Sequence, residues 1–158
     1  IDLASELASS LIKKLQEKNL TIAVTESLTG GLIAASLTEV PGASSVFKGS
    51  ITAYIDEIKQ SVLNVKNETI TNFTSISEQV ALEMAVNVRK IMKSDIGISA
   101  TGVAGPEKSA GFLPGLVFVA ISIGDHNMCQ KLELTGDRTQ IRNQTVQEIL
   151  KLTLSRLV

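Results

Sequence analysis

The sequence predicts an α/β domain whose mixed sheet is covered by helices on both faces. Three observations predict it. Segments with a helical repeat of apolar residues alternate with short runs of strand character. Several of those runs, among them "LTIAVT" and "LVFVAISI", are apolar throughout, which is the pattern of strands buried on both sides. The pair "FVAISIGDHNMCQKLEL" reads as a hairpin, so part of the sheet is antiparallel.

The elements follow in order. In "IDLASELASSLIKKL", Leu3, Leu7, Leu11 and Leu15 recur every four residues with Ile12 beside them, which predicts an amphipathic helix. "LTIAVT", 20–25, is a buried strand. "GLIAASLTEV" is a helix, stopped before Pro41-Gly42. "SVFKGSITAYI", 45–55, is strand-like with a bulge or bend at Gly49. "DEIKQSVLNV" is a short helix. "SEQVALEMAVNVRKIM", 77–92, is a helix with Ser77 as N-cap and Val80, Met84, Val88 and Ile91 on one face. "IGISATG", 96–102, is a strand running into a glycine turn, and 116–123 is a β-branched strand. "QKLELT" alternates as a half-exposed strand. The chain from Asp137 to Val158 is helical, with Ile141, Val146, Ile149, Leu150, Leu152 and Leu157 as its apolar positions.

Composition narrows the function classes. The chain has 158 residues, read as one domain over 1–158, and is 44% hydrophobic and 3% aromatic, so its core is aliphatic. A net charge of -1 gives no basic footprint for nucleic acid, and few aromatics leave few platforms for stacking bases. No run approaches the ~18 apolar residues of a membrane span, and the first helix lacks the unbroken apolar middle of a signal peptide. Cys129 is the only cysteine and His126 the only histidine, which excludes an intrachain disulfide and any ordinary zinc site. A lone cysteine suits a reducing cytosol, so a cytoplasmic location is expected. His126 lies in "GDHN", which reads as an exposed turn.

Four glycine-marked corners carry the remaining interest: "TESLTGG", "EVPGASS", "ATGVAGP" and "LTGDR". Two of them follow apolar strands, and ligands of open α/β sheets lie beyond the carboxyl ends of strands. Neither corner is a G-x-G-x-x-G or a P-loop. Ordinary turns account for them equally well. In "TESLTGG", Ser27 or Thr29 reads as a helix cap. Gly30 and Gly31 weaken a helix start and make sense if something approaches the backbone closely. In "TAYIDEIK", Tyr54 closes a strand and Lys59 sits in the next helix. Read singly, they are a core tyrosine with its hydroxyl at the surface and a solvated lysine.

Taken together, these segments resemble one family. "TIAVTESLTGGLIAASLTEVPGASSVF" is similar to the C-terminal domain of the competence/damage-inducible CinA family, with its A-E-S-C-T-G-G and V-P-G-A-S stretches. "AYIDEIK" resembles the family's Y-S-N-E-x-K, "ISEQVALEMA" its V-S-E-x-V-A-x-x-M-A, "ATGVAGP" its I-T-G-I-A-G-P, and "TGDRTQIR" its P-G-D-R-x-x-I-R. The resemblance spans nearly the whole chain. It implies a three-layer α/β/α fold with a mixed sheet of about five strands, and a homodimer. Stand-alone members include nicotinamide-nucleotide amidohydrolases, which turn nicotinamide mononucleotide into nicotinate mononucleotide and ammonia. Two-domain members carry a further N-terminal molybdopterin-binding-like domain, for which these 158 residues leave no room.

The resemblance assigns Ser27 as nucleophile, Lys59 as general base, Tyr54 as a hydroxyl beside them and Arg142 as an active-site arginine. A pyridine nucleotide substrate would then be held by Glu26, Thr29, Gly30, Gly31, Thr101, Gly102, Gly105 and Arg138. The chemistry needs neither metal nor cofactor: a serine is activated by a base, and with no second histidine a lysine made neutral by burial or by nearby cations such as Arg142 fits that role. Backbone N–H groups after Ser27 would hold the oxyanion. Four departures stand out. Leu28 replaces the family's cysteine, Asp56 an asparagine, and Ile55 and Ile58 small residues. "EKSAGFLPGLV" lacks a lysine that many members place before the P-x-G turn. An idle nucleotide binder, or a protein acting in competence or DNA-damage responses through contacts alone, is the rival expectation.

Overall fold

The computed structural model describes residues 2–158; Ile1, at the start of the first expected helix, lies outside them. Five strands form one sheet in the order β2-β1-β3-β4-β5: β1 (Ile22–Glu26), β2 (Phe47–Thr52), β3 (Ile96–Gly102), β4 (Leu116–Ile123) and β5 (His126–Glu133). β1 pairs in parallel with β2 and β3, whereas β4 and β5 join antiparallel, so the sheet is mixed as expected. The register of β1 against β2 slips between Ile22 and Ala23, opposite Phe47 and Gly49, which is the expected bulge.

Alternation along the strands feeds two cores. Ile22, Val24, Ile96, Ile98, Val119 and Ile121 face α1 (Leu3–Lys18), α2 (Leu32–Thr38) and α6 (Arg138–Ser155) and pack with Leu11, Leu15, Ile33, Leu37, Ile141 and Ile149. The opposite face carries small residues. There α5 (Glu78–Met92) lays Ala81 and Ala85 on Ala120, and Val80, Met84 and Val88 close over Ala23 with Leu63 and Val65. A Cβ on Gly97 would stand 2.2 Å from the Ala85 carbonyl oxygen, and the Ser99 hydroxyl donates to Ala81 O at 2.6 Å. α5 therefore sits against bare backbone. α3 (Asp56–Ser61) and α4 (Asn67–Phe73) connect β2 to α5.

The caps explain several boundaries. Ser77 accepts from the Val80 N–H, as expected, and Asp137 forms a capping box with Gln140. Four expectations need correction. Ile91 is half-exposed and Met92 packs under α5 in its place. β5 begins at His126, earlier than expected, because the turn is only Gly124-Asp125; His126 pairs with Ile123 in the ladder and stays exposed. The strand expected over 45–55 is shorter, since Ala43–Ser45 form a 3-10 turn before it. Helix α4 was not anticipated. It buries no residue, and its start is held by Glu83, which accepts from the Lys66 N–H and the Thr69 hydroxyl.

Candidate active site

β1, β2 and β3 are parallel, so their carboxyl ends lie side by side, where α/β sheets bind ligands. The sheet ladder runs slightly past each strand. The Ser27 N–H donates to Ala100 O at 3.0 Å, and the Ala53 N–H donates to Glu26 O at 3.0 Å. These last rungs fix Ser27 and Tyr54 as neighbours although 27 positions separate them. Helix α3 starts immediately after Tyr54. Helical side chains tilt toward their own N-terminus, so Lys59, one turn in, reaches back toward that start.

Three contacts result. The Lys59 ammonium donates to Ser27 Oγ at 3.1 Å and to Tyr54 O at 3.2 Å, and Ser27 Oγ donates to Tyr54 O at 3.2 Å. Lys59 is only 2% exposed, although lysine is seldom buried. Burial holds its pKa below the ordinary lysine value, while the Asp56 carboxylate pulls the other way. Among the described residues, no carboxylate lies within ion-pair distance of Lys59. By contrast, burial, aided by Glu78, pushes the Cys129 thiol up to about 12, so it is no competing nucleophile.

The triangle opens into a cavity of about 770 Å³. Ser27, Leu28, Tyr54, Asp56 and Lys59 line one wall; Thr101, Gly102 and Gly105 after β3 line another; Arg138 from α6 reaches the rim. The sequence reading missed Ser75, Ile76, Glu107, Ser109 and Ala110, which also line it. Ile76 opens the "ISEQVALEMA" stretch and Glu107, Ser109 and Ala110 fall in "EKSAGFLPGLV", but the resemblance assigned none of them to the site. Arg138 donates to Gly105 O at 2.6 Å and to the Tyr54 hydroxyl at 3.0 Å, bridging the two walls. Thr101 spends its hydroxyl on Ser75 O at 2.8 Å.

Several expected site residues stand behind the cavity. Glu26 is fully buried, and its carboxylate accepts from the N–H groups of Ile33 at 3.0 Å and Ala34 at 3.1 Å. It therefore caps α2, whose N-cap Gly31 offers no side chain; neither Ser27 nor Thr29 does so. Arg142 is also withdrawn, donating to Leu28 O at 3.0 Å and Thr29 O at 3.1 Å. It clamps the loop carrying Ser27 and does not face Lys59, whose lowered pKa comes from burial alone. Gly30 (φ +57°) and Gly31 (φ +111°) adopt left-handed turns that favour glycine. What approaches Gly30 is the Arg142 guanidinium, 3.3 Å from where a Cβ would stand. Thr29 is fully buried, and its hydroxyl has no hydrogen-bond partner among the described residues. Tyr54 also differs from expectation: its main-chain carbonyl touches the Ser27–Lys59 pair, while its phenol points to Arg138 and the residue is 54% exposed.

The start of α2 offers no oxyanion site, since Glu26 occupies its N–H groups. The N–H groups of Leu28 and Thr29 have no acceptor among the described residues, and Leu28 lines the cavity. A serine hydroxyl, a buried lysine amine and a residue with an unengaged N–H thus line the same cavity.

Comparison with known proteins bears on family and fold. The CinA C-terminal domain model matches residues 4–157. A CinA-like protein of Dictyoglomus turgidum is 46% identical over 142 residues, covering 89% of this chain and 34% of its own length. The chain thus spans about a third of the curated relatives it matches. Two solved structures superpose throughout. One is a competence or damage-inducible protein from Enterobacter asburiae, at TM-score 0.96, 30% identity and 100% coverage of both chains. The other is the competence/damage inducible protein CihA from Agrobacterium tumefaciens, at TM-score 0.94 and 33% identity, covering 99% of this chain and 96% of that one. The sequence motifs, the mixed five-stranded sheet and these matches agree: the chain belongs to the CinA C-terminal domain family.

Proposed function

We propose that this chain is a metal-independent amidohydrolase that converts nicotinamide mononucleotide into nicotinate mononucleotide and ammonia. The observation that carries this reading is the 3.1 Å contact between a buried lysine and a serine that opens on the cavity. A lysine without a paired carboxylate, in a place that penalises its charge, is suited to act as a neutral base.

In the proposed cycle, neutral Lys59 accepts the Ser27 hydroxyl proton while its own N–H stays on Tyr54 O. Ser27 Oγ attacks the carboxamide carbon, and the negative charge formed on oxygen faces the Leu28 N–H. As the C–N bond breaks, the Lys59 ammonium returns its proton to the departing nitrogen. Ammonia leaves, and the acyl group remains esterified to Ser27. Lys59, neutral again, takes a proton from water, and the hydroxide formed attacks the ester carbon. The C–O bond to Ser27 breaks, Oγ recovers the proton, and the carboxylate product departs. Tyr54 O keeps the lysine nitrogen aimed through both halves. Arg138, with Thr101, Gly102 and Gly105, forms the wall on which the ribose phosphate would rest.

One observation favours a second reading, a binder without turnover: the Asp56 carboxylate favours the charged, inactive form of Lys59. Incubating the purified protein with nicotinamide mononucleotide separates the two. The hydrolase releases ammonia and nicotinate mononucleotide in equal amounts; the binder releases neither.

A further inference from the structure

Asp56 opens α3 one turn before Lys59, on the same face of the helix. It is exposed and lines the cavity beside Ser27 and Lys59. Among the described residues its carboxylate takes part in no hydrogen bond or ion pair, since the ion pairs present join Lys131 to Glu133 and Lys151 to Glu148. The other charges are accounted for. Arg138, from α6, is bound to Gly105 O and the Tyr54 hydroxyl. Glu107, in the loop after β3, shares the cavity wall. Glu26, on β1, is turned onto α2, and Arg142 is held by the Leu28 and Thr29 carbonyls. An unpaired carboxylate thus lines the cavity onto which Ser27 and Lys59 open.

We infer that Asp56 is a specificity-determining residue that selects substrates whose carboxamide is carried on a cationic ring, an N-substituted pyridinium. This rests on the hydrolase reading above, whose substrate carries such a ring, and assigns the recognition of that ring charge to Asp56. The consequence reaches the base. In the free protein Asp56 supports the charged form of Lys59. A pyridinium seated against Asp56 neutralises that carboxylate and places a positive charge near Lys59, and both effects favour the neutral amine. The substrate's own charge thereby helps to switch on the base. A neutral ring leaves Asp56 opposing it.

The test measures binding in a Ser27→Ala background, where no turnover intervenes. Nicotinamide mononucleotide and its reduced dihydropyridine form carry the same amide, ribose and phosphate and differ in ring charge. Calorimetry should give the cationic form a Kd about tenfold below that of the neutral form, the effect of one partly exposed charge pair. Adding Asp56→Asn should erase that preference, and adding Asp56→Glu should keep most of it. In the parent with Ser27, Asp56→Asn should reduce the ratio of kcat/KM for the cationic over the neutral form. A preference unchanged by Asp56→Asn, or equal changes with both ligands, overturns the assignment even if the wild type releases ammonia. Binding of neither form, with no ammonia from the wild type, overturns the hydrolase reading along with it.

Discussion

Replacing Lys59 by Met should raise stability while abolishing turnover. Met is unbranched and of similar length, so it can follow the same buried path. The change removes two hydrogen bonds, to Ser27 Oγ and Tyr54 O, each worth about 1 kcal/mol. Ser27 and Tyr54 O keep their mutual bond at 3.2 Å. It also removes the cost of desolvating an ammonium that has no ion-pair partner, which is several kcal/mol. The balance favours Met by about 1–3 kcal/mol at neutral pH, or a Tm higher by about 3–9 °C for a chain of this size. The sign can be checked by pH. Burial lowers the folded-state pKa of Lys59 below its unfolded value, so the unfolded chain binds more protons between the two values. The penalty is complete below the folded pKa and is relieved as pH rises from there toward 10.5. The advantage of Lys59→Met should therefore shrink in alkali. Thermal melts from pH 6 to about 10 and an ammonia assay at pH 8 make the test. A Tm that falls at neutral pH would refute the view of Lys59 as a destabilising functional base and make it a structural donor.

Two further predictions concern the sheet under α5 and the loop that carries Ser27. Gly97→Ala places a methyl 2.2 Å from Ala85 O and 2.8 Å from Arg89 Cβ, so α5 must lift from the sheet. Denaturant unfolding should show a loss of about 3 kcal/mol or more, and a loss under ~0.5 kcal/mol would contradict the close docking. Thr29→Val exchanges a buried hydroxyl without a partner for a methyl of similar shape, so stability should hold or rise by a few tenths of a kcal/mol. Its ammonia release should stay near the parent's; a tenfold loss would return Thr29 to the substrate site.

The fold class was legible because the strands buried on both faces are written as continuous apolar runs and one hairpin marks the sheet as mixed; the strand order came only with the structure. Helix α4 escaped because nothing local signals it: "NETITNF" has no apolar stripe, and Glu83, ten or more residues away, holds its start. At the site, motif resemblance singled out Ser27 and Lys59, but their contact depends on two ladder rungs beyond β1 and β2. The contact that Tyr54 makes with Ser27 and Lys59 runs through its backbone carbonyl, which side-chain identity does not reveal. Glu26 could have been recognised. A glutamate ahead of a Gly-Gly helix start, with no capping side chain at Gly31, is the donor-acceptor match that helix ends require.

The central claim is that Ser27 Oγ is the nucleophile, and the direct measurement compares ammonia release from nicotinamide mononucleotide by the parent and by Ser27→Ala. Ser27 is nearly buried, and its Oγ serves only Lys59 and Tyr54 O, so the variant should fold with an unchanged circular dichroism spectrum. The account predicts measurable release by the parent and a drop of about a thousandfold or more in the variant. Release by a folded Ser27→Ala within tenfold of the parent would contradict it.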